Sequence, residues 1–252
     1  MKTLEDFKNG QVLLIDKPLH WTSFQAVNKL RWAIRKAFAI KKIKVGHAGT
    51  LDPLATGLLV ICTGKMTKQI NTFQGQEKAY TGTFVLGSTT PSYDLETDID
   101  ATFPTNHITE DLIHETAKQF VGTIEQFPPV FSAIKKEGKR LYEFARAGEH
   151  VDIKSRQVEI SEFEITNIDA STVLSTGAST ALQQAQRDTL STGLELKFRV
   201  VCSKGTYIRS LAHDFGKALN SGAHLSELRR TRIGDFRVED ALSPEEFLAN
   251  LP

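Results

Sequence analysis

A chain of 252 residues, 40% hydrophobic and 24% charged, can bury a sizeable core as one large or two modest domains. Its formal net charge of +1 excludes a surface that is basic or acidic throughout, and its two cysteines lie in apolar runs without metal-ligand spacing. This excludes a disulfide framework and points to buried thiols in a reducing compartment. The N-terminus is polar, with no apolar signal segment, and the longest apolar run (58–62) is far too short to cross a bilayer. A cytoplasmic protein with no membrane partner is expected.

In chain order, residues 12–15 read as a short strand ending in Asp16-Lys17-Pro18, a loop signal. Thr22 or Ser23 can cap the following helix, in which Phe24, Val27, Leu30, Ile34 and Phe38 recur at spacings of three and four. That stripe leaves Arg31, Arg35 and Lys36 at the surface. From residue 29 to residue 44 there are seven Lys or Arg and no Asp or Glu. Such a block suits a polyanion, and equally suits a solvated helix face.

Residues 44–68, K-V-G-H-A-G-T-L-D-P-L-A-T-G-L-L-V-I-C-T-G-K-M-T-K, hold four glycines, one His and one carboxylate, Asp52, placed before Pro53. Proline biases Asp52 towards an extended or turn backbone. Glycines at 46, 49 and 57 permit positive φ or close backbone approach. The segment can present a nucleophile to a bulky substrate, or it can simply be a turn. Residues 58–62 read as a buried strand, 67–73 as a short helix, 80–86 as a strand and 109–121 as a helix. Residues 127–129 interrupt regular structure, 135–140 form an exposed basic turn, and 141–147 a helix ended by Gly148.

Strand alternation returns at 156–165 and 194–202. The Ser/Thr/Gln-rich stretch 166–193 between them reads as a solvent-exposed, mobile loop insertion in a hairpin. A helix over 207–219, a short strand over 233–238 and a capping box at Ser243-Pro244-Glu245-Glu246 complete the chain. Strands and helices without strict alternation favour an α+β fold over a doubly wound sheet.

No P-loop, no G-x-S-x-G elbow and no zinc-ligand spacing is present in the sequence, so neither metal nor cofactor is expected. A second informative stretch is Cys202-Ser203-Lys204-Gly205-Thr206-Tyr207-Ile208-Arg209. There a strand gives way to a helix start bearing cations and a phenol, able to hold an anion or to pair with a carboxylate. A core Tyr and a solvated Arg would produce the same pattern.

Four motifs in order, G-H-A-G-T-L-D-P-L-A-T-G-L-L, K-A-Y-T-G-T-F, S-K-G-T-Y-I-R and G-A-H-L-x-x-L-R-R-T-R, closely resemble those of the TruB family of tRNA pseudouridine synthases. The likeness runs from Asp16 to about Val238. It implies a single α+β catalytic domain over 1–252, with a mixed, largely antiparallel central sheet flanked by helices. It further implies isomerisation of uridine-55 in the tRNA T-loop by a monomer without cofactor or metal. By the same resemblance Asp52 is the catalytic nucleophile on a flipped-out nucleotide, and Tyr80 stacks on the uracil. Arg209 pairs with Asp52, Tyr207 and Leu228 line the pocket, His47 helps splay the loop, and Lys68 joins the substrate contacts. Residues 124–152 resemble the family's RNA-gripping insertion. Phosphate contacts are expected from Arg31, Arg35, Lys36, Lys204, Arg229 and Arg230.

The sequence departs from the family pattern in three places. His20 stands where a Gly is usual, the 166–193 insertion has no counterpart, and the chain ends at Pro252, where many relatives continue into a PUA domain. Weaker contact with the acceptor end of tRNA is expected from that end point. A tRNA-binding or folding module without essential catalysis would share the basic helix and aromatic pocket, but it would have no use for a carboxylate facing RNA. An RNA-guided catalytic subunit is a third reading, disfavoured by the same end point.

Overall fold

The computed structural model describes residues 2–132, 134–136, 138–149, 151–169 and 194–252. Helix α1 (Leu4–Asn9), strand β1 (Val12–Lys17) and helix α2 (Ser23–Ala37) precede the short β2 (Val45–His47) and the long β3 (Ala55–Thr63). A 3-10 turn (Gly64–Gln69), α3 (Ile70–Gly75) and β4 (Lys78–Leu86) follow. Next come β5 (Ser88–Thr89), β6 (Ala101–Thr102), α4 (Glu110–Gln119) and β7 (Gly122–Gln126). Strands β8 (Lys135–Lys136) and β9 (Lys139–Arg140) pair ahead of α5 (Leu141–Arg146). The last elements are β10 (Arg156–Asp169), β11 (Glu195–Cys202), α6 (Ile208–Ala218), β12 (Ala223–Ile233), β13 (Phe236–Arg237) and α7 (Pro244–Ala249). The expected loop insertion falls on residues outside those described from 170 onward; β10 itself continues to Asp169.

The chain forms two compact units, one of Met1–Thr81, Val200–Thr206 and Glu227–Pro252, the other of Gly82–Arg199 and Tyr207–Ser226. In the first, β1 lies antiparallel to β3, and β12 runs parallel to β3 with Leu228 opposite Ala55 and Arg230 opposite Gly57. β2 flanks the far end of β3, with Val45 opposite Thr63. Phe7, Leu13, Ile15, Leu30, Ile34, Leu59 and Ile61 fill its core beneath α2. In the second unit the strand order is β4–β11–β10–β7. Phe84, Phe163, Phe198 and Phe215 cluster there, with Phe84 and Phe198 stacked at 4.1 Å. The sheet is mixed and largely antiparallel with flanking helices, an α+β architecture as the sequence implies.

Local signals explain the helices. Thr22 caps α2 in a reciprocal box with Gln25, and Ser243 does the same for α7 with Glu246. The buried arc of α2 consists of Ser23, Ala26, Val27, Leu30, Ala33 and Ile34. It is centred away from Phe24, which is 64% exposed rather than in the core stripe. β12 is the strand that sequence periodicity does not reveal. It crowds Glu227, Arg229, Arg230 and Arg232 into one segment, and several of these side chains find partners inside the fold.

Candidate active site

The first unit builds its site on the loop joining β2 to β3. Gly49 there has φ +101° and Gly57, at the start of β3, has φ +102°. A Cβ on Gly57 would lie 2.3 Å from the Arg230 carbonyl oxygen, so only glycine lets β12 pass this closely. Asp52 sits between these glycines, and its carbonyl accepts from the Ala55 amide at 3.1 Å.

Both neighbours of Asp52 are held by other elements. Ser23 Oγ accepts from the Leu51 amide at 2.8 Å and donates to the Leu51 carbonyl at 3.1 Å. The His20 amide donates to the Pro53 carbonyl at 2.8 Å. His20 adopts φ +65°, so a histidine takes the left-handed turn in which glycine is usual, at a cost of roughly 1–2 kcal/mol.

Arg230 completes the scaffold. It is 1% exposed, and its guanidinium donates to the carbonyls of Leu58 (2.8 Å), Gly49 (3.2 Å) and Thr50 (3.4 Å). The expected role as a surface phosphate contact does not hold: two loop carbonyls and one of β3 occupy the guanidinium, and burial removes it from an external phosphate. Tyr80 on β4 is buried, hydrogen-bonded to Arg230 and within the field of Asp52, with burial raising its phenol pKa. Leu228, opposite Ala55 on β12, is half-buried beside the loop. His47 ends β2, where burial lowers its pKa and leaves it neutral at pH 7.

Lys17 is a member of this site that motif reading passed over as part of a loop signal. It is fully buried, and its ammonium donates to the carbonyls of Pro18 (2.8 Å) and Trp21 (2.6 Å). Burial pulls its pKa down to about 8, against the raising influence of Asp52. Attraction between two charges is mutual, so the ammonium favours the ionised carboxylate. A lysine closing an otherwise apolar strand was the available signal.

In the second unit Arg209 opens α6, 4% exposed. Its Nε lies 3.6 Å from Asp94 Oδ2, and its other nitrogens donate to the carbonyls of Ser92 (3.2 Å) and Phe131 (3.0 Å). Tyr207 caps α6 and exchanges backbone bonds with the Gln126 side chain (2.8 and 3.1 Å), while Arg156 covers its ring at 4.9 Å. The 127–131 stretch is thus anchored to the start of α6, through Ser210 as well as Arg209. Tyr142 and Phe144 on α5 carry Arg140 and Lys139 over their rings.

The remaining cations fall into separate settings. Arg229 is committed to a bidentate pair with Asp16, at 2.6 and 3.0 Å. Lys36 lies over the exposed Trp32 ring at 5.0 Å, and Lys204 is exposed. Arg31, Arg35 and Lys68 share a basic cavity beyond the far end of β3. Cys62 and Cys202 are free, buried thiols, and burial raises both to a pKa of about 11. Among the described residues no group of acidic, His or Cys side chains could hold a metal, and no helix is long and apolar enough to cross a membrane.

This sheet, with one carboxylate on a glycine-bounded loop pinned from three sides, is that of the pseudouridine synthases. In solved structures the fold matches a Cbf5-Nop10-Gar1 complex with TM-score 0.65 and 29% identity, covering 96% of this chain and 54% of that one. An H/ACA RNP bound to a substrate RNA containing 2'-deoxyuridine matches with TM-score 0.62 and 27% identity, covering 96% of this chain and 53% of that one. The chain therefore spans about half the length of these structural neighbours. The description "TruB family pseudouridylate synthase (N terminal domain)" matches residues 35–208, and "tRNA pseudouridylate synthase B C-terminal domain" matches 209–251. A tRNA pseudouridine synthase B of Flavobacterium johnsoniae is 63% identical, over 95% of each chain. That of Phocaeicola vulgatus is 54% identical, over 96% of this chain and 93% of its own. The chain belongs to the TruB family of pseudouridylate synthases.

Proposed function

We propose that this chain is an isomerase converting uridine-55 in the T-loop of tRNA to pseudouridine, with Asp52 as nucleophile. The reaction draws on no outside electron or group: one glycosidic C–N bond is exchanged for a C–C bond at C5. What it requires is an ionised, positioned carboxylate and a base removed from its stack. The observation that carries the reading is the fixed backbone on both sides of Asp52, beside the buried Lys17 ammonium and the Tyr80 ring.

Tyr80 supplies a stacking surface for the uracil, a contact of ~1–3 kcal/mol per base that offsets part of the unstacking. Leu228 lines the pocket beside the Asp52 loop, Tyr207 is a further substrate-binding residue, and neutral His47 assists in splaying the T-loop. Arg209, held by Asp94, is another substrate-binding residue. Arg31, Arg35, Lys36 and Lys204 contact phosphates, the paired Arg229 is not needed for this, Lys68 adds a further RNA contact, and residues 124–152 grip the T-arm. The test is the formation of pseudouridine in unmodified tRNA by the parent and by Asp52→Asn. Turnover by the parent alone, with RNA binding retained in the variant, is expected. Equal activity of both would remove Asp52 from the chemistry. Inactivity of both, with binding intact, would favour a tRNA-binding module.

A further inference from the structure

Beyond the far end of β3 the first unit holds a cavity of about 730 Å³ whose charge is of one sign. Helix α2 contributes Arg31 and Arg35, and the loop after it contributes Lys41, Lys42 and Lys44. Lys8 from α1 and Lys65 and Lys68 from the 3-10 turn close the ring. These eight cations have no carboxylate among the lining residues. Among the described residues none of them is in an ion pair; Lys65 donates to Asn9 Oδ1 at 2.9 Å and Arg31 to Asn28, both neutral amides. Like charges gathered around one concavity repel one another, so the arrangement gains free energy when a multiply charged anion enters.

The place of the cavity says which anion. β3 begins at Ala55, directly after the Asp52 loop, and ends at Thr63, beside the cavity wall at Gly64. At the usual rise per strand residue the two ends lie about 27 Å apart. A mononucleotide engaged at Asp52 cannot span that distance, whereas the backbone of a helical RNA arm can.

We infer that the cavity is a distal RNA-backbone site, taking phosphates from a helical arm of the tRNA well removed from the reacting nucleotide. This rests on the tRNA-modifying reading above and extends it to a part of the substrate that the reaction never touches. Affinity would then have a sequence-independent component, set by counterion release at this cavity.

The test compares the parent with Lys41→Gln/Lys42→Gln/Lys65→Gln, three exposed side chains whose exchange leaves the fold intact. Each enzyme is given full-length tRNA transcript and an isolated T-arm hairpin, and binding and turnover are followed as a function of salt. With full-length tRNA the salt slope of the variant should be shallower by about 2–3 units and its KM raised at least about tenfold. kcat should stay level, and both enzymes should treat the hairpin alike. An unchanged slope and KM on full-length tRNA would overturn the inference, leaving the cavity to a non-RNA anion. Equal losses on hairpin and full-length tRNA would overturn the distal placement. A parent that forms no pseudouridine sinks the enzymatic reading instead, and the binding slopes still decide the cavity.

Discussion

Lys17 shows what one residue can do once its surroundings are fixed. Its ammonium is fully buried, bound to two carbonyls and close enough to Asp52 to feel its charge. Burial is the larger influence, and the pKa settles at about 8, below its ordinary 10.5. Between those values the unfolded chain holds a proton that the folded chain has released. Stability from this group is therefore complete above the ordinary lysine range and is lost as pH falls through about 8. Urea midpoints of the parent should rise from pH 7.5 towards 10 more steeply than those of Lys17→Met, which has no such proton to release. Parallel curves would show that Lys17 is not depressed. Arg230 teaches the opposite lesson: the same sequence cluster that marks a basic surface holds one arginine committed to the interior.

At the scale of elements, the beginning of α2 fixes the backbone beside the proposed nucleophile. The Ser23 hydroxyl satisfies both backbone groups of buried Leu51, one residue before Asp52. Ser23→Ala leaves that amide and carbonyl without a partner, at a cost of about 2 kcal/mol. It also loosens the carboxylate proposed as nucleophile, for which a small displacement can reduce the rate ~10²-fold. The expected result is a kcat loss of at least about tenfold with KM little changed, recovered in Ser23→Thr. Lost stability with full kcat would make the contact merely structural. Capping boxes, apolar alternation and the Asp-Pro turn made α2, β1, β3 and α7 legible in the sequence, because each is decided by neighbours in the chain. β12 was not legible. Its burial pattern is set by β3 and by partners such as Asp16, Leu58 and Glu77, all far away in sequence. Asp52 and Tyr80 were proposed from motif alone, and no periodicity in the sequence could reveal the buried Lys17 and Arg230 of the same unit.

For the molecule as a whole, the division into units has a physical consequence. Of the four borders, three fall inside strands, Thr81–Gly82 in β4, Arg199–Val200 in β11 and Ser226–Glu227 in β12, and the fourth, Thr206–Tyr207, falls just ahead of α6. A strand cut in the middle cannot keep one half paired at no cost to the other, since backbone groups left in apolar surroundings each cost ~1–3 kcal/mol. Independent domains instead meet at flexible connections where few contacts cross. Three shared strands should make unfolding a single cooperative event. Both tryptophans, Trp21 and Trp32, belong to the first unit, so their fluorescence follows that unit alone, whereas far-UV circular dichroism reports helices and strands of both. Urea transitions recorded by the two probes should superimpose in midpoint and slope. A fluorescence midpoint displaced from the dichroism midpoint would mean that the units open separately. In that case Asp52 and Arg209, which lie in different units, would be set in place by two folding events rather than one.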